Sequence, residues 1–248
     1  MNVHLVARGV ASLVVTAGLG LAGAVAVDAD GTPSPSPTSV PTTAPHPVIT
    51  LGALQARCDA AVQKRLGTLA ADDTFVKQSA ALTSADQATL EGQIGADQTG
   101  LTALEQTING DTTLVQAHAD CELIVTGYRV YLLQDPKIHE VIAADGIEKV
   151  DVTLNTLAPE LQSLINNSSV SAAVKAQAQT DLNDLINKVA ASHTSISGVR
   201  SSVIMLTPAG YPGNKVDLTS ARSNIKTARS DLSGARADVN KIIKLIGA

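Results

Sequence analysis

The sequence predicts an all-α fold: an elongated antiparallel helical bundle of about six helices, built like coiled-coil hairpins and kinked near Pro136. Three observations carry that expectation. Apolar residues recur at three- and four-residue spacing through long runs between about Thr50 and Ala248, which is helical periodicity. The chain is 44% hydrophobic but only 2% aromatic, with one Phe, three Tyr and no Trp. Broad cores and enzyme pockets use more aromatic bulk than this, whereas Ala, Leu, Val and Ile in periodic runs suit helix–helix seams. The runs are separated by turn clusters: Asn109-Gly110-Asp111, Asn166-Asn167-Ser168-Ser169 and Thr207–Asn214. The helical part is long enough for one elongated domain or for two three-helix units meeting near residue 136.

The chain begins with Met1–Arg8, whose one basic side chain is Arg8, followed by an apolar and small-residue run, Gly9–Val27. Ala24-Val25-Ala26 fits the small-residue exit rule, so residues 1–26 read as a signal peptide cut before Val27; Ala22-Gly23-Ala24 is a second site. The run also reaches the roughly 17–25 residues a bilayer span needs, so an uncleaved anchor is the alternative. No cysteine stands at the exit of the run, which argues against a lipid anchor. Residues 27–50 are a Pro/Ser/Thr-rich stalk, DADGTPSPSPTSVPTTAPHP at its centre, too poor in apolar residues to fold. Export to the cell surface or beyond is the localisation these segments imply.

Residues 51–248 form the helical domain. In Leu51–Ala81, Leu54, Cys58, Ala61, Leu66, Leu69 and Val76 keep helical spacing, and Gly67 weakens the helix locally. Ser84 is the expected N-cap of the second helix, with Gln87 completing a capping box. Leu90, Ile94, Leu101, Leu104 and Ile108 then run in a heptad rhythm that passes through Asp97, a charge at a seam position. The third helix carries Leu114, His118, Cys121, Val125, Tyr128 and Leu132 on one stripe. Pro136 lacks a backbone donor and clashes with the preceding turn, so a break is expected near Asp135. Ile147, Val150, Leu154, Leu157, Leu161 and Leu164 resume the stripe, with a second kink expected at Pro159. The next helix is expected over Ser171–Met205, on Val174, Leu182, Leu185, Val189, Ile196 and Val203.

The last helix is the most regular. Ala221-Arg222, Ala228-Arg229 and Ala235-Arg236 fall at one phase of three successive heptads, while Leu218, Ile225, Leu232, Val239 and Ile246 supply the large seam residues. Alanine at every second seam position lets two backbones approach closely, so a tight antiparallel partner is expected. Gly234 falls off this seam.

Cys58 and Cys121 are the two cysteines, and in an exported chain an isolated pair reads first as a disulfide. Each lies two to three turns into its own helix. With one helix between them, the first and third helices run parallel and bring both cysteines to a similar height. Closing so long a loop stabilises a fold by about 4 kcal/mol in the chain-entropy model.

Charge separates the last helix from the rest. Leu218–Ala248 holds six basic and two acidic residues, whereas Asp28–Asp217 is acidic by ten charges. Either the basic helix docks on acidic neighbours, with Arg222, Arg229 and Arg236 lining a solvated edge, or those arginines form a stripe for an acidic envelope polymer or anionic lipid. The acidic total and export argue against nucleic acid.

Catalytic signatures are missing. The chain has no Gly-rich phosphate loop, no H-E-x-x-H and no G-x-S-x-G. His118 lies one turn from Cys121, but a thiol held in a disulfide is no nucleophile. His118, His139 and His193 are spread over three helical regions, so neither a metal nor any other cofactor is expected.

One polar cluster is a candidate for recognition: Tyr128-Arg129-Val130-Tyr131, then Pro136-Lys137-Ile138-His139 and Ala143-Ala144-Asp145. Through this stretch the chain resembles uncharacterised exported helical, coiled-coil-like proteins of high-GC actinobacteria, in which a YRVY-like segment precedes PK-x-H and AAD. The resemblance implies export and helices and brings no activity. Tyr128, Arg129, Tyr131, Lys137 and His139 either form a binding patch at the kink or fill a seam and satisfy carbonyls freed by Pro136. The expected function is a non-catalytic structural or protein-interaction domain of the cell envelope. The alternative is a module that binds cell wall or another anionic polymer through its C-terminal helix, and an enzyme of unrecognised type ranks third. Expected partners are an envelope protein, an acidic wall polymer or a second copy of the chain. The membrane is a partner only if the N-terminal segment stays uncleaved.

Overall fold

The computed structural model describes residues 49–247, which form one compact unit. The export segment with its two cleavage sites, and the stalk up to residue 48, lie outside the described residues. Among the described residues the chain is all-helical, with no strand. Five helices are long: α1 (Leu51–Gln78), α2 (Ser84–Gly110), α4 (Asp135–Asn167), α5 (Ala172–Ile196) and α7 (Asn214–Ile246). Two are short: α3 (Leu114–Thr126) and α6 (Val199–Ile204).

Capping chemistry sets several boundaries, and in one case not where the sequence placed it. Thr83, not Ser84, is the N-cap of α2. Its backbone is extended and its hydroxyl oxygen accepts from the Asp86 N–H at 3.1 Å. The same hydroxyl donates to the Asp86 carboxylate at 2.6 Å, so the reciprocal pair is Thr83 with Asp86, while Gln87 donates to Glu91. Thr50, Thr113 and Ser171 cap α1, α3 and α5 in the same way.

The break around Pro136 also falls elsewhere. Arg129 adopts a left-handed backbone, φ 46°, and a π-helical turn follows, Val130–Gln134. Pro136 sits in the first turn of α4, a position that tolerates proline, directly after that π-helical turn. The proline therefore starts a helix, and the break lies several residues before it. Pro159 does not end α4, which continues to Asn167. The single helix expected over Ser171–Met205 is instead divided at Gly198, φ 77°, into α5 and α6. Glycine carries that left-handed turn without the strain a Cβ would add.

The third helix is rotated from its expected phase. Ala117 and Ile124 are buried, whereas Leu114, His118, Val125 and Leu132 are exposed. Cys121 must face α1, and Ala117 beside it allows a close approach that the larger His118 would block. Leu132 lies beyond the left-handed Arg129, where the helical phase is reset.

Cys58 of α1 and Cys121 of α3 are joined in a disulfide, Cα–Cα 5.7 Å, across 63 residues of sequence. The α7 seam follows its expectation in Leu218, Ala221, Ile225, Ala228, Ala235 and Val239, all buried, while Leu232 and Ile246 are only half-buried against the cores. Its main partner is α5. Lys188 lies beside Gly234 and Asp238, and Gly198 beside Ala221 and Asn224, so the two helices run antiparallel. Gly234 has a packing reason: a Cβ there would meet the Lys188 side chain at 3.0 Å.

Two apolar cores result. The proximal core joins α1, α2, α3, the first half of α4, the last residue of α5, α6 and the first half of α7. The distal core is made by α4, α5 and α7 alone, with Leu161, Ile165, Leu182, Leu185, Val189, Val239 and Ile242 at its centre. Between them lie Asp151 of α4 and Ser192 of α5, both buried, with Asp231 of α7 nearby. No helix among the described residues is long and apolar enough to cross a membrane.

Candidate functional site

The five residues singled out at the kink go three ways. Tyr128, on the last turn before the break, is half-buried against α2, and its ring and hydroxyl occupy the space where a side chain at Gly100 would begin. Burial, with the neighbouring Asp97 charge, pushes its phenol pKa up. Lys137 points the same way and is buried. Its ammonium donates to the Leu206 carbonyl at 3.2 Å, tying α4 to the chain after α6. Burial lowers its pKa to about 8, opposed by Asp97. The charge that interrupted the α2 seam is thus the counter-charge of a buried lysine, and burial pushes the Asp97 carboxyl up in turn.

Arg129 turns toward the loop before α7, with its guanidinium 4.2 Å from the centre of the Tyr211 ring. Tyr131 and His139 face α1. The Arg65 guanidinium lies 5.1 Å from the Tyr131 ring centre, and the His139 ring is 5.0 Å from that of Phe75. His139 Nε2 is 3.5 Å from Asp135 Oδ1, and this hydrogen bond holds its pKa above the ordinary value. Asp72 of α1 completes the group. It is buried, one carboxylate oxygen has no hydrogen-bond partner, and burial together with the Asp135 charge raises its pKa to about 6.

The three arginines of α7 differ as well. Arg222 is tied to Glu140 of α4, Nε to Oε1 2.7 Å. Arg229 and Arg236 are exposed, with no ion pair among the described residues. Cys58 and Cys121 are both consumed by the disulfide.

Several polar groups escaped the sequence reading. Arg200 of α6 reaches Asp86 of α2 at 3.2 Å and Asp145 of α4 at 3.7 Å, locking three helices together. Lys188 of α5 and Lys241 both bind the buried Asp238 of α7. Burial alone would raise the Asp238 carboxyl, but the two ammonium groups outweigh it and hold it below its ordinary pKa. Asp151 is the reverse case. Neither of its oxygens, nor the Ser192 hydroxyl, makes a well-formed hydrogen bond, and burial pushes its carboxyl up. A signal for these residues was present: Asp72, Asp151 and Ser192 occupy seam positions of their own helices, as Asp97 does.

The described surface offers little enclosed space. Two shallow, open depressions stand out: one of about 200 Å³ between Ser197, Gly198 and Ser202 on one side and Asp217, Ser220 and Asn224 on the other, and a larger one of about 450 Å³ along α2 at Gln98, Thr99, Thr102, Ala103 and Gln106. Among the described residues no cluster of His, Cys, Asp and Glu has metal-binding geometry. Comparison with protein-family models, with characterised proteins and with solved structures finds no match.

Proposed function

We propose that this chain is a non-catalytic extracytoplasmic domain of the cell envelope, an elongated antiparallel bundle with coiled-coil-like seams that serves as a structural or protein-interaction element. The observation that carries the reading is the Cys58–Cys121 bond. It clamps α1 to α3 in a region already rich in buried polar groups, and such a bond persists in oxidising compartments and not in a reducing cytoplasm. The shallow surface depressions, the polar groups engaged in tying helices together, and the export signal with its stalk support the same reading, as does the resemblance to exported helical proteins. Cleavage before Val27 makes the domain a secreted one, and retention of Gly9–Val27 displays it on the membrane.

Intact-mass analysis of the protein from cell-surface, culture and cytoplasmic fractions of its native host tests the proposal. The expected species lies outside the cytoplasm, begins at Val27 and gains mass on reduction and alkylation at two cysteines. A full-length chain in the cytoplasm with free thiols overturns it.

A further inference from the structure

We propose that the outer face of α7 binds an extended linear polyanion, one carrying phosphate or carboxylate groups along its length. Arg222, Lys226, Arg229, Ser233, Arg236, Asn240 and Lys244 follow one another at intervals of three or four residues, close to the 3.6-residue turn, so they occupy one face of the helix. All seven are exposed. The cations among them extend over about 33 Å, with the arginines about 10 Å apart. Arg222 is partly engaged by Glu140, while Lys226, Arg229, Arg236 and Lys244 have no ion pair among the described residues. The acidic side chains of α7 lie off this face: Asp217, exposed in the first turn, is about 140° round the helix from it, Asp238 is buried between Lys188 and Lys241, and Asp231 is half-buried toward Asp151.

Charge complementarity and shape select the ligand. Leu218–Ala248 is net positive by four charges, whereas Asp28–Asp217 is net negative by ten. A compact anion would meet only one or two cations of so long a line, while an extended polymer meets all of them and releases its counterions. A membrane surface fits less well. Interfacial helices place large apolar side chains beside their cationic face, free to enter the bilayer; here one flank is Ser223, Thr227, Ser230 and Ala237, and the apolar residues of the other, Ile225, Leu232 and Ile243, are packed against the cores. The chemistry of the face stands on its own; only the source of the polymer, an acidic component of the envelope, rests on the extracytoplasmic reading.

The test measures binding of the domain to inorganic polyphosphate and to phosphatidylglycerol vesicles across a salt series. The parent protein should bind polyphosphate with a slope of log affinity against log salt of about −3, corresponding to four or five neutralised phosphates. R229S/R236S should weaken binding about tenfold at low salt and bring the slope to about −2. R57S/K64S removes the same net charge from an exposed face of α1 and should change binding less than twofold. All four positions are exposed, and far-ultraviolet circular dichroism confirms that the variants remain folded. Equal losses in the two double variants, no binding by the parent at low salt, or tighter binding to the vesicles than to polyphosphate would each overturn the proposal. None of these outcomes bears on the localisation or the disulfide.

Discussion

The two cores of this molecule are held together by different physics. The distal core is three helices on regular apolar seams, with buried Leu, Ile, Val and Ala; its two buried charges are Asp238, satisfied by two lysines, and Asp181, which accepts from Gln177 one turn earlier. The proximal core joins all seven helices, α5 by its last residue alone and two of them short, through a disulfide, a left-handed residue, a π-helical turn and several buried ionisable groups. Three long helices bury a continuous stripe along their whole length, so periodicity alone suffices there. Short helices bury little each and must be tied in by bonds with direction. Lys137 to Leu206, Arg200 to Asp86 and Asp145, and Cys58 to Cys121 are those ties. The difference teaches that buried polarity is concentrated where helical repetition runs out.

The largest test of that contrast is the disulfide. Reduction, or C58A/C121A, should cost about 4 kcal/mol, the chain-entropy value for a loop of this size. Hydrogen exchange should show the loss in α1, α2 and α3, with Leu182–Val189 still protected. Uniform loss along the chain would show that the two cores unfold as one.

The next effect is a pH response of opposite sign in the two cores. Asp72 titrates at about 6 in the folded protein against 3.8 as its reference value, so the folded state holds the extra proton between those values. The proximal core should therefore gain stability, by about 2 kcal/mol, as pH falls from 7 toward 4. His139, with its pKa raised, adds in the same direction as pH falls through its raised value. Asp238, with its pKa lowered, gives a contribution that is present above the reference carboxylate value and is lost only in more acid solution. Urea unfolding followed by exchange at pH 7.5 and 5.5 measures the Asp72 response, and a further point at about pH 3 measures that of Asp238. D72N should flatten the proximal response, and an unchanged slope in D72N would remove Asp72 as its cause.

The smallest expected effect concerns the layer between the cores. Asp151 and Ser192 are buried without well-formed hydrogen bonds, and a buried polar group left unpaired is destabilising. D151L/S192A should stabilise the fold by about 1–2 kcal/mol and make the two cores melt more nearly together in calorimetry. A destabilised variant would show that this layer is satisfied in solution and contributes to the fold.

Most of the long-helix framework was legible from spacing. The α7 seam emerged with its alternating alanines, and the Cys58–Cys121 pairing followed from helix order. The phase of α3 was not legible, because Leu114, His118 and Val125 form as good a stripe on paper as Ala117 and Ile124. Cys121 belongs to both stripes, so only packing, which buries Ala117 and Ile124, distinguishes the two. The break near Pro136 was legible as an event but not as a position, since a proline suits a first helical turn as well as it disrupts an interior one. In the candidate site, the exposure of Arg222, Arg229 and Arg236 on one side of α7 was legible from their heptad spacing, but the pairing of Arg222 with Glu140 joins residues 82 apart in sequence and left no local trace.

By itself, the sequence determined the helical class, the long seams, the disulfide partners and the basic character of the last helix, because each follows from local periodicity, residue type or counting. The tertiary structure alone decided the rotation of α3, the placement of the break at Arg129, the division into two cores and the pairing of each buried charge. Those depend on which distant side chains meet after the helices pack, and burial changes a charge only when its neighbours are known.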